Sequence, residues 1–144
     1  MKAVVIAILL ILVSNFSIAQ DAAKNQVTGI TIKVKIANVR TTEGHVLFSL
    51  HTEDTFMKGP GIKTLAVVAE DGVATAIFEN VPSGNYAILA LHDKNDNRRM
   101  DFEPNGMPKE DYGTSNNVMS MGPPQFTEAE FKVANEDLEI TIRF

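Results

Sequence analysis

The sequence predicts an all-β fold, an antiparallel β-sandwich of about seven strands with one long acidic loop. Three observations predict it. Apolar and polar residues alternate in several short segments, which is typical of strands that bury one face. Turn residues separate these segments at short intervals, as they do in sandwich folds. No long helical period follows residue 20.

The strands can be placed by their alternation and by the turns between them. A strand at 30–36 and a strand at 46–50 flank the turn at 41–44, so these two are expected to form a hairpin. Asp71-Gly72, a favoured two-residue hairpin turn, joins the third strand to the fourth. The predicted strands are 30–36, 46–50, 63–70, 73–79, 85–92, 131–133 and 138–144. The side chains expected in the core are Ile30, Ile32, Val34, Ile36, Phe48, Leu50, Ile140 and Ile142.

The N-terminal segment has the pattern of a secretory signal peptide. Lys2 precedes an apolar run at 3–13, and the small residues Ser17 and Ala19 occupy the −3 and −1 positions of a cleavage site before Gln20. The apolar run is shorter than the ~20 residues that a membrane-spanning helix needs. The segment is therefore interpreted as a cleaved leader and not as an anchor.

Residues 1–19 are predicted to be removed on export, which leaves residues 20–144 as one domain in the periplasm or outside the cell. The chain carries a net charge of −5, which argues against nucleic acid as a partner. It contains no Cys, so neither a disulfide framework nor a lipidated cysteine is available. No membrane insertion is expected after cleavage.

The segment 92–101, His-Asp-Lys-Asn-Asp-Asn-Arg-Arg-Met-Asp, carries the strongest chemical signal. Four of its Asp and Asn residues fall at relative positions 1, 3, 5 and 9, counted from Asp93. Ca²⁺ takes several oxygen ligands, and an alternating Asp/Asn loop can direct its side-chain oxygens to one point. The predicted Ca²⁺ ligands are the side chains of Asp93, Asn95, Asn97 and Asp101 and the carbonyl of Arg99.

The loop departs from an EF-hand in two positions. Position six makes a sharp turn that normally requires Gly, and here it is Arg98. Position twelve is Pro104 where an EF-hand has a bidentate Glu. Because Asp and Asn also form Asx turns without a metal, a loop held by hydrogen bonds and Arg–carboxylate pairs is the alternative to a calcium-organised loop.

Four sequence runs appear in an order that resembles the bacterial exported family named domain of unknown function 2141. These runs are VPSGNYA at 81–87, HDKNDNRRMD at 92–101, NGMPKEDYGTSNN at 105–117 and GPPQF at 122–126. The resemblance implies a secreted or periplasmic β-sandwich of immunoglobulin or prealbumin type with no established activity. Members tend to have Gly after the second Asn of the loop, where this chain has Arg98.

Two function classes follow from these features. The first is a non-enzymatic exported accessory or binding domain with a calcium-organised loop, whose partner is an unknown protein or glycan ligand of the cell envelope. The alternative is a hydrolase that acts on an envelope or extracellular polymer through the loop carboxylates, drawn from Asp93, Asp101, Glu110 and Asp111. His45, His51 and His92 show no spacing typical of a zinc site.

Overall fold

The computed structural model describes residues 29–144, so the predicted signal peptide, residues 1–19, lies outside the described residues. Within that range the chain is built from short strands. They are β1 (Ile30–Ile36), β2 (His45–His51), β3 (Lys63–Val67), β4 (Ala74–Val81), β5 (Gly84–Asp93), β6 (Tyr112–Thr114), β7 (Phe131–Val133) and β8 (Leu138–Ile142). A 3₁₀ turn at Ser115–Asn117 and the helix α1 at Phe126–Ala129 lie between β6 and β7.

The strands form two sheets. The small sheet has the order β4-β1-β8, and the large sheet has the order β3-β2-β5-β6, with β7 paired to the start of β5. This confirms the predicted all-β sandwich. The described residues contain eight strands, and β6 lies within the long acidic loop, where no strand was predicted. All pairs between the named strands are antiparallel except β1 with β8, which run parallel and so depart from the antiparallel prediction.

The predicted hairpin between the first two strands is wrong, because β1 and β2 lie in different sheets. Their apolar faces meet the same core from opposite sides, so the connection at 37–44 passes from one sheet to the other. Val39 is buried in this connection, and its N–H donates to the Gly72 carbonyl at 3.0 Å. The turn at Asp71-Gly72 is present with positive φ at both residues, but the strands beside it pair only through a single bridge.

The core lies between the inner faces of the two sheets. Six of the eight predicted core side chains are buried there, whereas Ile30 and Ile140 are only half-buried. Ile30 lies beside an irregularity in the β1–β4 register, and Ile140 belongs to the strand at the edge of the small sheet. Each full burial of such a side chain stabilises the fold by roughly 1.5–3 kcal/mol.

Tyr86 fixes the turn that begins β5. Its ring is buried, and its hydroxyl donates to the Pro82 carbonyl at 3.0 Å, four residues earlier. A buried tyrosine that returns to the preceding backbone in this way resembles the corner tyrosine of sandwich folds. Among residues 29–144, no helix has the length and apolar character needed to cross a membrane.

Candidate functional site: an acidic loop and an apolar groove

The acidic loop begins at Asp93, the last residue of β5, whose carboxylate is almost completely buried. One of its oxygens accepts the Asn97 N–H at 3.1 Å, and the other accepts the Arg98 N–H at 2.7 Å. A buried carboxylate needs such donors to offset its desolvation. Asp93 therefore closes the first half of the loop with both of its oxygens.

The other three predicted ligand side chains meet beside Asp93. Asp101 accepts hydrogen bonds from the side-chain amides of Asn95, at 2.6 Å, and Asn97, at 2.8 Å. The Asn95 carbonyl oxygen accepts the Asn97 N–H, and the Asn97 carbonyl oxygen accepts the Arg99 N–H. The structure thus brings these side chains together through hydrogen bonds, which is one part of the alternative to a calcium-organised loop. The other part, an ion pair between Arg98 or Arg99 and a carboxylate, does not occur within residues 29–144. Arg99 joins the cluster through its backbone N–H.

Glu110 ties the two ends of the loop to each other. It is buried, and its two oxygens accept the N–H of Lys94 at 3.0 Å and of Asp101 at 3.3 Å. The spacing in the sequence did not identify this role, because Glu110 lies outside the segment 92–101 that carries the Asp/Asn pattern. Arg98 has a φ of 62°, the left-handed conformation that position six requires, although it is not Gly.

A small hairpin continues directly from this cluster. The Lys109 N–H donates to the Asp101 carbonyl at 2.9 Å, and Phe102 and Pro108 form an isolated bridge. The turn between them is closed by the Glu103 N–H, which donates to the Met107 carbonyl at 2.7 Å. Residues 101–109 are therefore held in place by the acidic loop, and they project beside the large sheet.

The outer face of the large sheet is apolar as well, and it forms the floor of a groove. One cross-strand row follows the register Ala66–Leu47–Leu91–Tyr112 across β3, β2, β5 and β6. A second row places Ser49 between Thr64 and Leu89, with the Ser49 and Thr64 hydroxyls 2.9 Å apart. His51 lies at the end of the β2 side of this floor.

Three loops form the walls of this groove, which has a volume of about 1040 Å³. They are the segment after β2, the hairpin at 101–109 with the arginines before it, and the proline-containing segment before α1. The apolar side chains of the walls include Met57, Met100, Phe102, Met107 and Pro123. None of the described residues that line the groove is Asp or Glu, and Arg98 and Arg99 are its charged residues apart from His51.

The three histidines have separate partners. His45 Nδ1 lies 2.6 Å from a carboxylate oxygen of Asp96, and His92 Nε2 lies 2.9 Å from the Glu43 carbonyl. His51 Nδ1 lies 3.2 Å from the Thr55 hydroxyl. Burial lowers the pKa of His51 below its usual 6.5, and a hydrogen bond with the backbone of Thr55 opposes that shift.

No group of three or more His, Asp or Glu side chains that could hold a metal ion occurs within residues 29–144. The candidate loop offers a different set of donors, which consists of two carboxylates and two amide oxygens. Each Asn carbonyl oxygen accepts one backbone N–H and so retains a lone pair for a cation. These oxygens suit a hard cation, but the amide nitrogens of Asn95 and Asn97 point toward Asp101, where a cation would need oxygen atoms. The residues present therefore fit a hard cation in part.

Interpretation of the sequence identified the loop but missed the groove. A signal for the groove was present in β2 and β5. Both contain uninterrupted apolar runs, at 46–48 and 86–91, where strict alternation would give one polar face. Continuous apolar runs are typical of strands that are covered on both faces.

A comparison with known families matches residues 34–141 to the model described as an uncharacterized protein conserved in bacteria, DUF2141. Neither the curated proteins nor the solved structures gave a match. The matched region extends from the middle of β1 to the penultimate residue of β8, so it includes both sheets, the acidic loop and the groove. The chain therefore belongs to the DUF2141 family.

Proposed function

We propose that this chain is an exported, non-enzymatic binding domain, a sandwich of immunoglobulin or prealbumin type whose ligand site is the groove on the outer face of the large sheet. The observation that carries the proposal is the groove itself. Ligand sites are typically concave, mostly apolar and about 300–1,000 Å³ in volume. The groove has about 1040 Å³, an apolar floor built on two central strands, and walls rich in Met and Pro.

The carboxylates that a hydrolase would use have structural partners. Asp93 and Glu110 are buried, and each uses both oxygens to accept backbone N–H groups of the loop. Asp111 lies 3.5 Å from the Lys94 ammonium and 4.0 Å from the Arg40 guanidinium. A general acid or base must face a reacting group. These contacts favour a binding role over the hydrolase alternative, and a ligand from the cell envelope, whether protein or glycan, remains the proposed partner class.

Calcium is proposed as an organiser of the groove wall. Asp93, Asn95, Asn97 and Asp101 lie together, and a bound Ca²⁺ would contribute charge neutralisation among the two carboxylates and the two amide oxygens. The same loop anchors the hairpin at 101–109, which supplies Phe102 and Met107 to the groove. Calcium would in this way stiffen a wall of the ligand site.

The calcium proposal is tested by the melting temperature in excess chelator and in millimolar Ca²⁺. If Ca²⁺ binds only the folded state, stability rises by ~2.7 kcal/mol at one hundred times the dissociation constant. Asp101→Asn should abolish the rise while it retains an acceptor for the Asn amides. Asp54→Asn, an equal charge change at an exposed residue beyond the opposite end of β2 from Asp93, should leave the rise intact. An identical melting temperature in both media would leave the hydrogen-bonded loop as the correct account.

The groove is tested with the neutral fluorescent probe N-phenyl-1-naphthylamine. We expect saturable binding that weakens about tenfold, or ~1.4 kcal/mol, in the double variant Phe102→Ser/Met107→Ser. Both side chains are more than half exposed, so their loss should leave the fold intact. Ile77→Ser removes a similarly exposed apolar side chain from β4 and should leave binding unchanged. Absence of saturable binding to the wild-type protein would refute the groove as a ligand site.

A further inference from the structure

Two cations line the groove of a chain that is acidic overall. The net charge is −5, yet Arg98 and Arg99 line the groove and no Asp or Glu lines it among the described residues. A concave surface with charge of one sign concentrates ligands of the opposite sign. The charge inside the groove is therefore the reverse of the charge on the molecule as a whole.

The carboxylates nearest to these arginines in the sequence are engaged elsewhere. Asp93 accepts backbone N–H groups, and Asp101 accepts the two Asn amides. Asp96 pairs with His45, and Glu103 lies 4.0 Å from the Lys109 ammonium. Among residues 29–144, no carboxylate oxygen lies within 4.0 Å of a guanidinium nitrogen of Arg98 or Arg99. These four carboxylates are thus engaged with other partners, and the two guanidinium groups are left available to a ligand.

The cations and the apolar surface belong to one continuous site. Arg98 and Arg99 directly precede Met100 and Phe102, which also line the groove, and the apolar floor of Leu47 and Leu91 lies beside them. A ligand that satisfies both parts needs an apolar body and a negative end. Guanidinium groups form charge-assisted hydrogen bonds with carboxylates and phosphates, and these are stronger than neutral ones.

We propose that the groove binds an anionic amphiphile, a molecule with a single apolar chain and a carboxylate or phosphate head. The chain would lie over the leucines of the floor between the Met and Pro walls, and the head would lie at Arg98 and Arg99. This inference rests on the proposed function, since it names the ligand class of the same groove. The volume of about 1040 Å³ exceeds what an anion alone would fill.

The test compares ligands that share one chain and differ in the head. Dodecanoate, dodecyl phosphate and dodecyltrimethylammonium, each below its micelle concentration, are titrated as competitors of N-phenyl-1-naphthylamine. We expect each anion to bind about tenfold more tightly than the cation, since one charge-assisted contact supplies a difference of that order. A preference between the two anions would tell a carboxylate ligand from a phosphate ligand.

The double variant Arg98→Gln/Arg99→Gln should reduce the ratio of anion to cation affinity to about one, because it removes both guanidinium groups. Lys132→Gln/Arg143→Gln removes the same charge from two exposed residues that do not line the groove, and it should retain the wild-type ratio. The inference would be overturned if the wild-type protein bound the anionic and cationic ligands with equal affinity, or if the arginine variant kept the wild-type ratio. Saturable probe binding in the same experiment would still support the groove as a binding site. No probe binding at all would refute the groove itself.

Discussion

The two faces of the large sheet are both apolar, but they are covered in different ways. The inner face carries Val46, Phe48 and Ile88, each with no exposed surface, packed against the small sheet. The outer face carries Leu47, Leu89 and Leu91 on the same two strands, and loops lie beside them. Sheets that pack face to face interdigitate their side chains at a spacing of about 10 Å, whereas loops follow no such regular spacing. The inner face is therefore filled, and the outer face retains a groove.

Within residues 29–144, a single end of the outer face is packed like a core. There Phe56, Ala87 and Ala129 form a small buried cluster with Leu89 and Phe126 at its margin. The rings of Phe56 and Phe126 meet edge to face with centroids 5.9 Å apart. Beyond this cluster the floor opens into the groove. The same apolar strands are thus packed like a core at one end and open to a groove at the other.

The largest expected effect separates the two faces directly. Phe48→Ala should lower the free energy of unfolding by ~3–5 kcal/mol, because it leaves a cavity between two sheets that cannot close around it. Leu91→Ala on the outer face should cost only ~1 kcal/mol, since its side chain is half-buried beside an existing groove. Urea unfolding curves give both values. Equal costs would mean that the outer face is packed as tightly as the core.

A smaller effect is expected in the wall of the groove. Arg98 has a φ of 62°, and the left-handed region costs a residue other than Gly roughly 1–2 kcal/mol. Arg98→Gly should therefore raise the free energy of unfolding by ~1 kcal/mol, measured in urea. Arg99 lacks a positive φ, so Arg99→Gly should lower the same quantity by ~0.5–1 kcal/mol through lost backbone restriction. Destabilisation by both variants would show that the contacts of the Arg98 side chain contribute more stability than its left-handed backbone conformation costs.

The smallest effect concerns pH and again belongs to the outer face. Burial lowers the pKa of His51 below 6.5, so the unfolded chain binds the proton more tightly than the folded protein does. The contribution of neutral His51 to the free energy of unfolding is complete above pH 6.5, and it is lost as the pH falls through the lowered pKa of the folded state. His51→Asn should remove this part of the fall in the free energy of unfolding at low pH. The measurement is the difference between the two proteins in free energy of unfolding from pH 7.5 downward; a constant difference would contradict the assignment.

The alternation of apolar and polar residues predicted the strands, because it depends only on the local geometry of the chain. Alternation in 30–36 and 138–142 identified strands and their buried faces, because a strand places every second side chain on one side. It did not identify which strands pair, and the expected hairpin of β1 with β2 failed for that reason. The pairing of strands depends on how two sheets pack around one core, and the sequence of a short segment carries no information on that packing.

The acidic loop was predictable because its members lie within nine residues of one another, from Asp93 to Asp101. Its closure by Glu110 was not, since that contact depends on the path of the intervening hairpin. The groove was still less accessible, because its walls come from residues 57–61, 98–108 and 122–124. Only the uninterrupted apolar runs of β2 and β5 signalled that a second apolar surface existed.

The parallel pairing of β1 with β8 also has a consequence for the way the chain folds. β1 is the middle strand of the small sheet, and the Thr31 N–H bonds to Asp137 across 106 positions of the chain. One side of β1 therefore lacks its neighbour until β8 is available to pair with it. Contacts of such long sequence separation also slow folding. The small sheet is consequently complete only when β8 has paired with β1, after all the other strands are present in the chain.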